Sequence, residues 1–86
     1  MGRTVYYNLM IKIFDGEAMS GLRKKRQLSL DKLARQLDNK YGLYTTNSTL
    51  SLYEQNKVQN PSFTLVANLA DLFEVKLDYF VKDKVE

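Results

Sequence analysis

Apolar residues follow two rhythms along the chain. In Thr4 to Phe14, TVYYNLMIKIF, the positions Val5, Tyr7, Leu9, Ile11 and Ile13 share one face of an extended chain. The stretch is rich in β-branched and aromatic residues and Asp15-Gly16 follows as a turn signal, so a strand is predicted there. From about Glu17 the spacing becomes helical. Met19, Leu22, Arg23 and Arg26 define a first helix ending near Gln27-Leu28. Ser29 is a good N-cap for a second, in which Leu30, Leu33, Ala34 and Leu37 form an i, i+3, i+4, i+7 stripe up to Lys40 or Tyr41, where Gly42 stops it. Thr45 or Thr46 can cap a third helix over 46–55, with Leu50 and Tyr53 on one face. Asn56 to Asn60 is a loop, and Pro61 or Ser62 opens a strongly apolar fourth helix containing Phe63, Leu65, Val66, Leu69, Ala70, Leu72 and Phe73. A last short helix is expected over Asp78 to Phe80 or Val81.

The pattern therefore predicts a mainly α domain of five short helices with an added N-terminal strand. A lone strand needs a partner. The candidates are Tyr79 to Lys84, which is preferred, and the same strand of a second subunit. Residues 1–16 are read as a strand or extension and residues 17–86 as the helical domain. Met19 could also start that domain, leaving residues 1–18 as an appendage.

The stretch that asks a functional question is TTNSTLSLYEQNK, residues 45–57. It reads either as a polar surface loop or as a short helix with a buried edge and a neutral, hydrogen-bonding outer face. In the second reading Leu50 and Tyr53 are the buried edge, while Asn47, Ser48, Ser51 and Gln55 point elsewhere with Leu52 near them. A compact pair of helices with a basic helix before it and an apolar one after it has the layout of a helix-turn-helix. The major groove admits one helix whose outer side is narrow and polar and whose inner side is fixed to a rigid support. Short hydroxyl side chains permit close approach, and an Asn or Gln amide can donate and accept together on an adenine edge.

Composition narrows the chemistry. The 86 residues include no Cys and no His, which removes disulfides, thiolate metal sites and the commonest general base. Carboxylates, Lys, Tyr and hydroxyls remain, and no spacing groups them into a catalytic set, so neither an enzyme nor a cofactor is expected. The longest apolar run, Leu9 to Phe14, is broken by Lys12 and falls far short of a membrane span. A cytoplasmic location fits the cysteine usage. Net charge is +3 but uneven. Residues 19–61 carry eight bases and three acids, net +5, whereas residues 62–86 carry three and five, net −2. A middle segment facing a polyanion explains this, as does an ordinary solvated helix surface.

The strings LRKKRQLSLDKLARQL and STLSLYE, then PSFTLVANLADLFEVKLDYF, resemble the Cro and phage-repressor type helix-turn-helix family, often called XRE, over Leu22 to about Val81. The resemblance rests on Leu22-Arg23, Ser29, Leu33-Ala34, Ser48-Thr49-Leu50, Tyr53-Glu54, Pro61-Ser62 and Leu69-Ala70 in order. It implies a five-helix lambda-repressor-like domain that binds double-stranded DNA as a homodimer, in a bacterial, phage or mobile-element regulator with no small-molecule domain. Asn47, Ser48, Ser51, Leu52 and Gln55 would then face the groove, and Thr46, Lys57 and Asn60 the sugar-phosphate edge. Arg23, Lys24, Lys25, Arg26 and Lys40 would be backbone contacts, against the alternative that this run is simply solvated. The sequence departs from the family pattern at Asp38, where a glycine is usual, and by about six extra residues around Lys40-Tyr41-Gly42-Leu43, read as a longer second helix. Leu30 stands where a DNA-facing Gln is frequent, and Asn56 replaces a glycine as a left-handed substitute. A rival reading is an antitoxin-like or adaptor module that binds a protein through the N-terminal strand or the acidic C-terminal third.

Overall fold

A computed structural model describes residues 11–84. Four α-helices stand in chain order between two short strands: β1 (Ile11–Phe14), α1 (Gly16–Lys25), α2 (Leu30–Tyr41), α3 (Asn47–Glu54), α4 (Phe63–Phe73) and β2 (Val81–Lys84). The expected fifth helix is instead a single 3-10 turn, Leu77–Phe80. Seven residues, 74–80, separate the end of α4 from β2, and Phe80, the last of them, is wholly buried, which leaves room for one tight turn.

The predicted strand is present over its last four residues, and its first part, 4–10, lies outside the described residues. It pairs antiparallel with β2, Ile11 opposite Lys84 through Phe14 opposite Val81, the intrachain partner that the pattern favoured. The side chain that enters the core is Phe14, on the face opposite Ile11 and Ile13, which stay wholly or partly exposed. Phe14 stacks on Phe80 at 5.8 Å and meets Tyr53 edge-on at 6.2 Å.

Helix ends follow the residues expected of them. Asp15, Ser29, Thr46 and Ser62 each accept a hydrogen bond from a backbone N–H in the first turn of their helix. Gly42 ends α2 in the left-handed conformation, with its N–H and that of Leu43 closing on the carbonyls of Asp38 and Leu37. The longer second helix is therefore real, and its extra turn carries Lys40 and Tyr41. Asn56 also adopts the left-handed conformation expected of it.

The core is one cluster: Phe14, Met19, Leu33, Leu37, Leu50, Leu65, Leu69, Ala70, Phe73 and Phe80. Each helix contributes at least one of these residues. Phe63, grouped with the apolar stripe of the fourth helix, is 73% exposed on the first residue of α4, at the edge of the arc that Leu65, Leu69 and Phe73 share.

Candidate nucleic-acid interface

α3 presents two unlike sides. Leu50 is fully buried and Tyr53 half-buried, while Asn47, Ser48, Leu52 and Gln55 are exposed and Ser51 half-exposed. The inner side is fixed at three points. Leu50 enters the core. At the start of α1, Gly16 lies so close beneath α3 that a Cβ there would sit 2.1 Å from the Tyr53 carbonyl oxygen. Its N–H donates to the Asn56 side-chain oxygen at 3.0 Å.

The third anchor is Arg23. Its guanidinium donates through Nε and Nη2 to the two Glu54 carboxylate oxygens at 2.6 and 2.9 Å, and through Nη1 to the Leu28 carbonyl at 2.8 Å. Both side chains are largely buried, and the Glu54 hydrogen bonds hold the Arg23 pKa above its ordinary value. A carboxylate on the last residue of a helix faces the negative end of the helix dipole. Arg23 offsets that cost and joins α1 to α3. Arg23, expected at the sugar-phosphate backbone, is thus held by contacts inside the domain. Arg26 is likewise committed: it donates to the Leu72 and Phe73 carbonyls that end α4 and lies over the Phe73 ring. Of the basic run, Lys24 and Lys25 remain in solvent.

The outer side is ordered without being used up. The Gln55 amide donates to the Ser51 hydroxyl at 2.7 Å, which leaves its carbonyl oxygen and one amide hydrogen facing out. The Asn47 amide donates to Asp31 on the first turn of α2 at 2.6 Å and accepts from the Ser48 hydroxyl at 3.3 Å. Asp31 was not foreseen in this setting. Only the chain reversal at Gly42 brings the starts of α2 and α3 together. Thr46 is first a cap, its hydroxyl accepting from the Thr49 N–H and donating to the Thr49 hydroxyl.

Leu52 is 40% exposed on the same side as Ser48 and Gln55, while its carbonyl accepts from the Lys57 and Val58 N–H groups. Those bonds fold the following loop back and place exposed Lys57 and Asn60 beside the C-terminal end of α3. Lys40 is not brought to this face. It lies 3.6 Å from Asp71 on α4 and 5.4 Å from the centre of its neighbour Tyr41's ring. The Tyr41 hydroxyl donates to Asp71 at 2.6 Å, which holds that carboxyl below its usual pKa.

Among the described residues no grouping of His, Cys, Asp or Glu could hold a metal ion, and no helix is long and apolar enough to cross a membrane. The arrangement is that of a helix-turn-helix: a short polar helix on a buttressed mount, preceded by an amphipathic one. The helix-turn-helix family model matches residues 21–80, and the chain belongs to that family, of the Cro and repressor type. This is a family of DNA-binding transcriptional regulators. No curated protein and no solved structure matches the chain at a significant level.

Proposed function

We propose that the protein is a sequence-specific binder of double-stranded DNA and a transcriptional repressor, acting as a homodimer on an inverted repeat. The observation that carries this reading is the outer side of α3, where Asn47, Ser48, Ser51, Leu52 and Gln55 converge on a rigid mount with no charge of their own. Gln55 keeps a donor and an acceptor for a base edge, adenine by preference, and Leu52 offers an apolar surface for a thymine methyl. Lys57, Asn60 and Thr46 lie at the sugar-phosphate edge, positioning without specifying. Residues 17–86 are read as the DNA-binding domain and residues 1–16 as its extension, of which Phe14 enters the core and Gly16 opens α1. Repression is by occupancy: two copies of α3 in successive major grooves exclude polymerase, with no cofactor and no catalytic step.

Protection mapping on the DNA flanking the protein's own gene tests this. Two protected half-sites with centres about 34 Å apart, related by a dyad, are expected. Uniform protection, or none, would count against it.

A rival adaptor reading is favoured by a different surface. Leu77, Tyr79 and Val81 are 41%, 49% and 43% exposed in the acidic C-terminal third, as a protein-binding patch would be.

A further inference from the structure

We propose that the two-stranded β1–β2 sheet is a second DNA-backbone contact, seating sugar-phosphate in the concavity between it and the loop that follows α3; this rests on the DNA-binding reading above. The concavity is open, about 570 Å³, and its lining includes Ile11, Ile13, Lys12, Lys57, Asn60 and Lys84. Lys57 and Asn60 already stand at the end of the α3 face, so the sheet continues one surface.

The register sets the chemistry. Residues directly opposite in an antiparallel pair project from the same face. Ile11 opposite Lys84 and Ile13 opposite Lys82 therefore put two isoleucines and two cations on one face of the sheet, and of these Ile11, Ile13 and Lys84 line the concavity. Lys12, which also lines the concavity, stands opposite Asp83 and pairs with it, so the acid in β2 is neutralised, while Lys82 and Lys84 form no ion pair among the described residues. Lys82 and Lys84 are two residues apart, about 7 Å along a strand, a separation that fits neighbouring phosphates. A floor of isoleucine under a rim of lysine matches the alternation of deoxyribose and phosphate.

The sheet is held in place rather than tethered. The Phe14 N–H donates to the Gln59 carbonyl at 3.0 Å, and the Asp15 N–H to the Phe80 carbonyl at 2.7 Å. Phe14 itself is 5% exposed within the core. Lysines fixed relative to α3 add their phosphates to the same footprint, and do so for any sequence.

Fluorescence anisotropy on a 30-base-pair duplex, about three turns long, tests this, with a selected and a scrambled sequence titrated across a salt series. The double variant Lys82→Gln with Lys84→Gln should bind both duplexes about tenfold more weakly, and its plot of log affinity against log salt should flatten by about two. Lys84→Gln alone should flatten it by about one and decides the matter if the double variant melts early. Lys76→Gln, which removes a charge away from the concavity, should leave the slope unchanged. Wild-type slope in the β2 variants alongside a reduced slope in Lys57→Gln would overturn the proposal and leave the DNA-binding reading standing. An equal loss in Lys76→Gln would overturn it as well, by showing a general effect of net charge. Absence of binding by the unaltered protein to either duplex would overturn both.

Discussion

The two ends of the polar chemistry on α3 behave in opposite ways. At Glu54 the carboxylate is enclosed, both oxygens engaged by Arg23, and the pair joins two helices. At Gln55, the next residue, the amide is exposed and makes one bond along its own helix. Adjacent residues of similar size thus serve different purposes, and what separates them is the direction in which a turn of 100° per residue points them. Hydrogen-bonding capacity turned inward is consumed by the fold; capacity turned outward stays available. The contrast extends to the bases, since Arg23 and Arg26 are consumed within the fold while Lys57, Lys82 and Lys84 form no ion pair among the described residues.

The sharpest way to break this contrast is to disturb the mount. Gly16→Ala forces a methyl against the Tyr53 carbonyl and should cost about 3 kcal/mol of stability or more, measured by urea unfolding. Arg23→Ala leaves a largely buried carboxylate without its partner and should cost about 2 kcal/mol in the same measurement. It should also weaken DNA binding without changing which sequence is preferred. Gln55→Ala should do the reverse: stability within about 0.5 kcal/mol of the parent, and a loss of 1 to 3 kcal/mol, roughly, in discrimination at one base position. The smallest effect lies at Asp71, remote from the face. Tyr41→Phe removes the hydrogen bond that favours the ionised carboxylate, so the Asp71 pKa should rise toward its ordinary value, as read by NMR titration. Because a lowered folded-state pKa contributes stability that is present above the unfolded value and lost as pH falls through the folded one, this variant should be slightly less stable than the parent near neutral pH, and the difference should vanish at the acidic end.

Residues 11–84 show why some of this could be read from the sequence and some not. The caps at Ser29 and Thr46, the stop at Gly42 and the inward pair Leu50 and Tyr53 are local, set by a few neighbouring residues, and they stand where the pattern put them. The family resemblance also placed Arg23 and Glu54 among matching positions, but 31 residues separate them and nothing local says that they meet. Gly16 looked like a turn glycine, whereas its role is to admit the Tyr53 carbonyl, a contact made only when α1 and α3 cross. Charge alone does not reveal that Lys40 has a neighbour on another helix, Asp71. The fifth helix failed for a related reason: burial of Phe80 and the pairing of β2 fix the chain path more strongly than the helical spacing of four residues.

The central claim is that the outward side of α3 reads base sequence while its inward polar pair only holds it. Selection of binding sites from a random duplex library, run in parallel with the unaltered protein, Gln55→Ala and Arg23→Gln, tests it directly. The unaltered protein and Arg23→Gln should select the same motif, the latter with lower yield, whereas Gln55→Ala should lose preference at one position of each half-site. A motif that Gln55→Ala leaves intact, or one that Arg23→Gln rewrites, would contradict the claim.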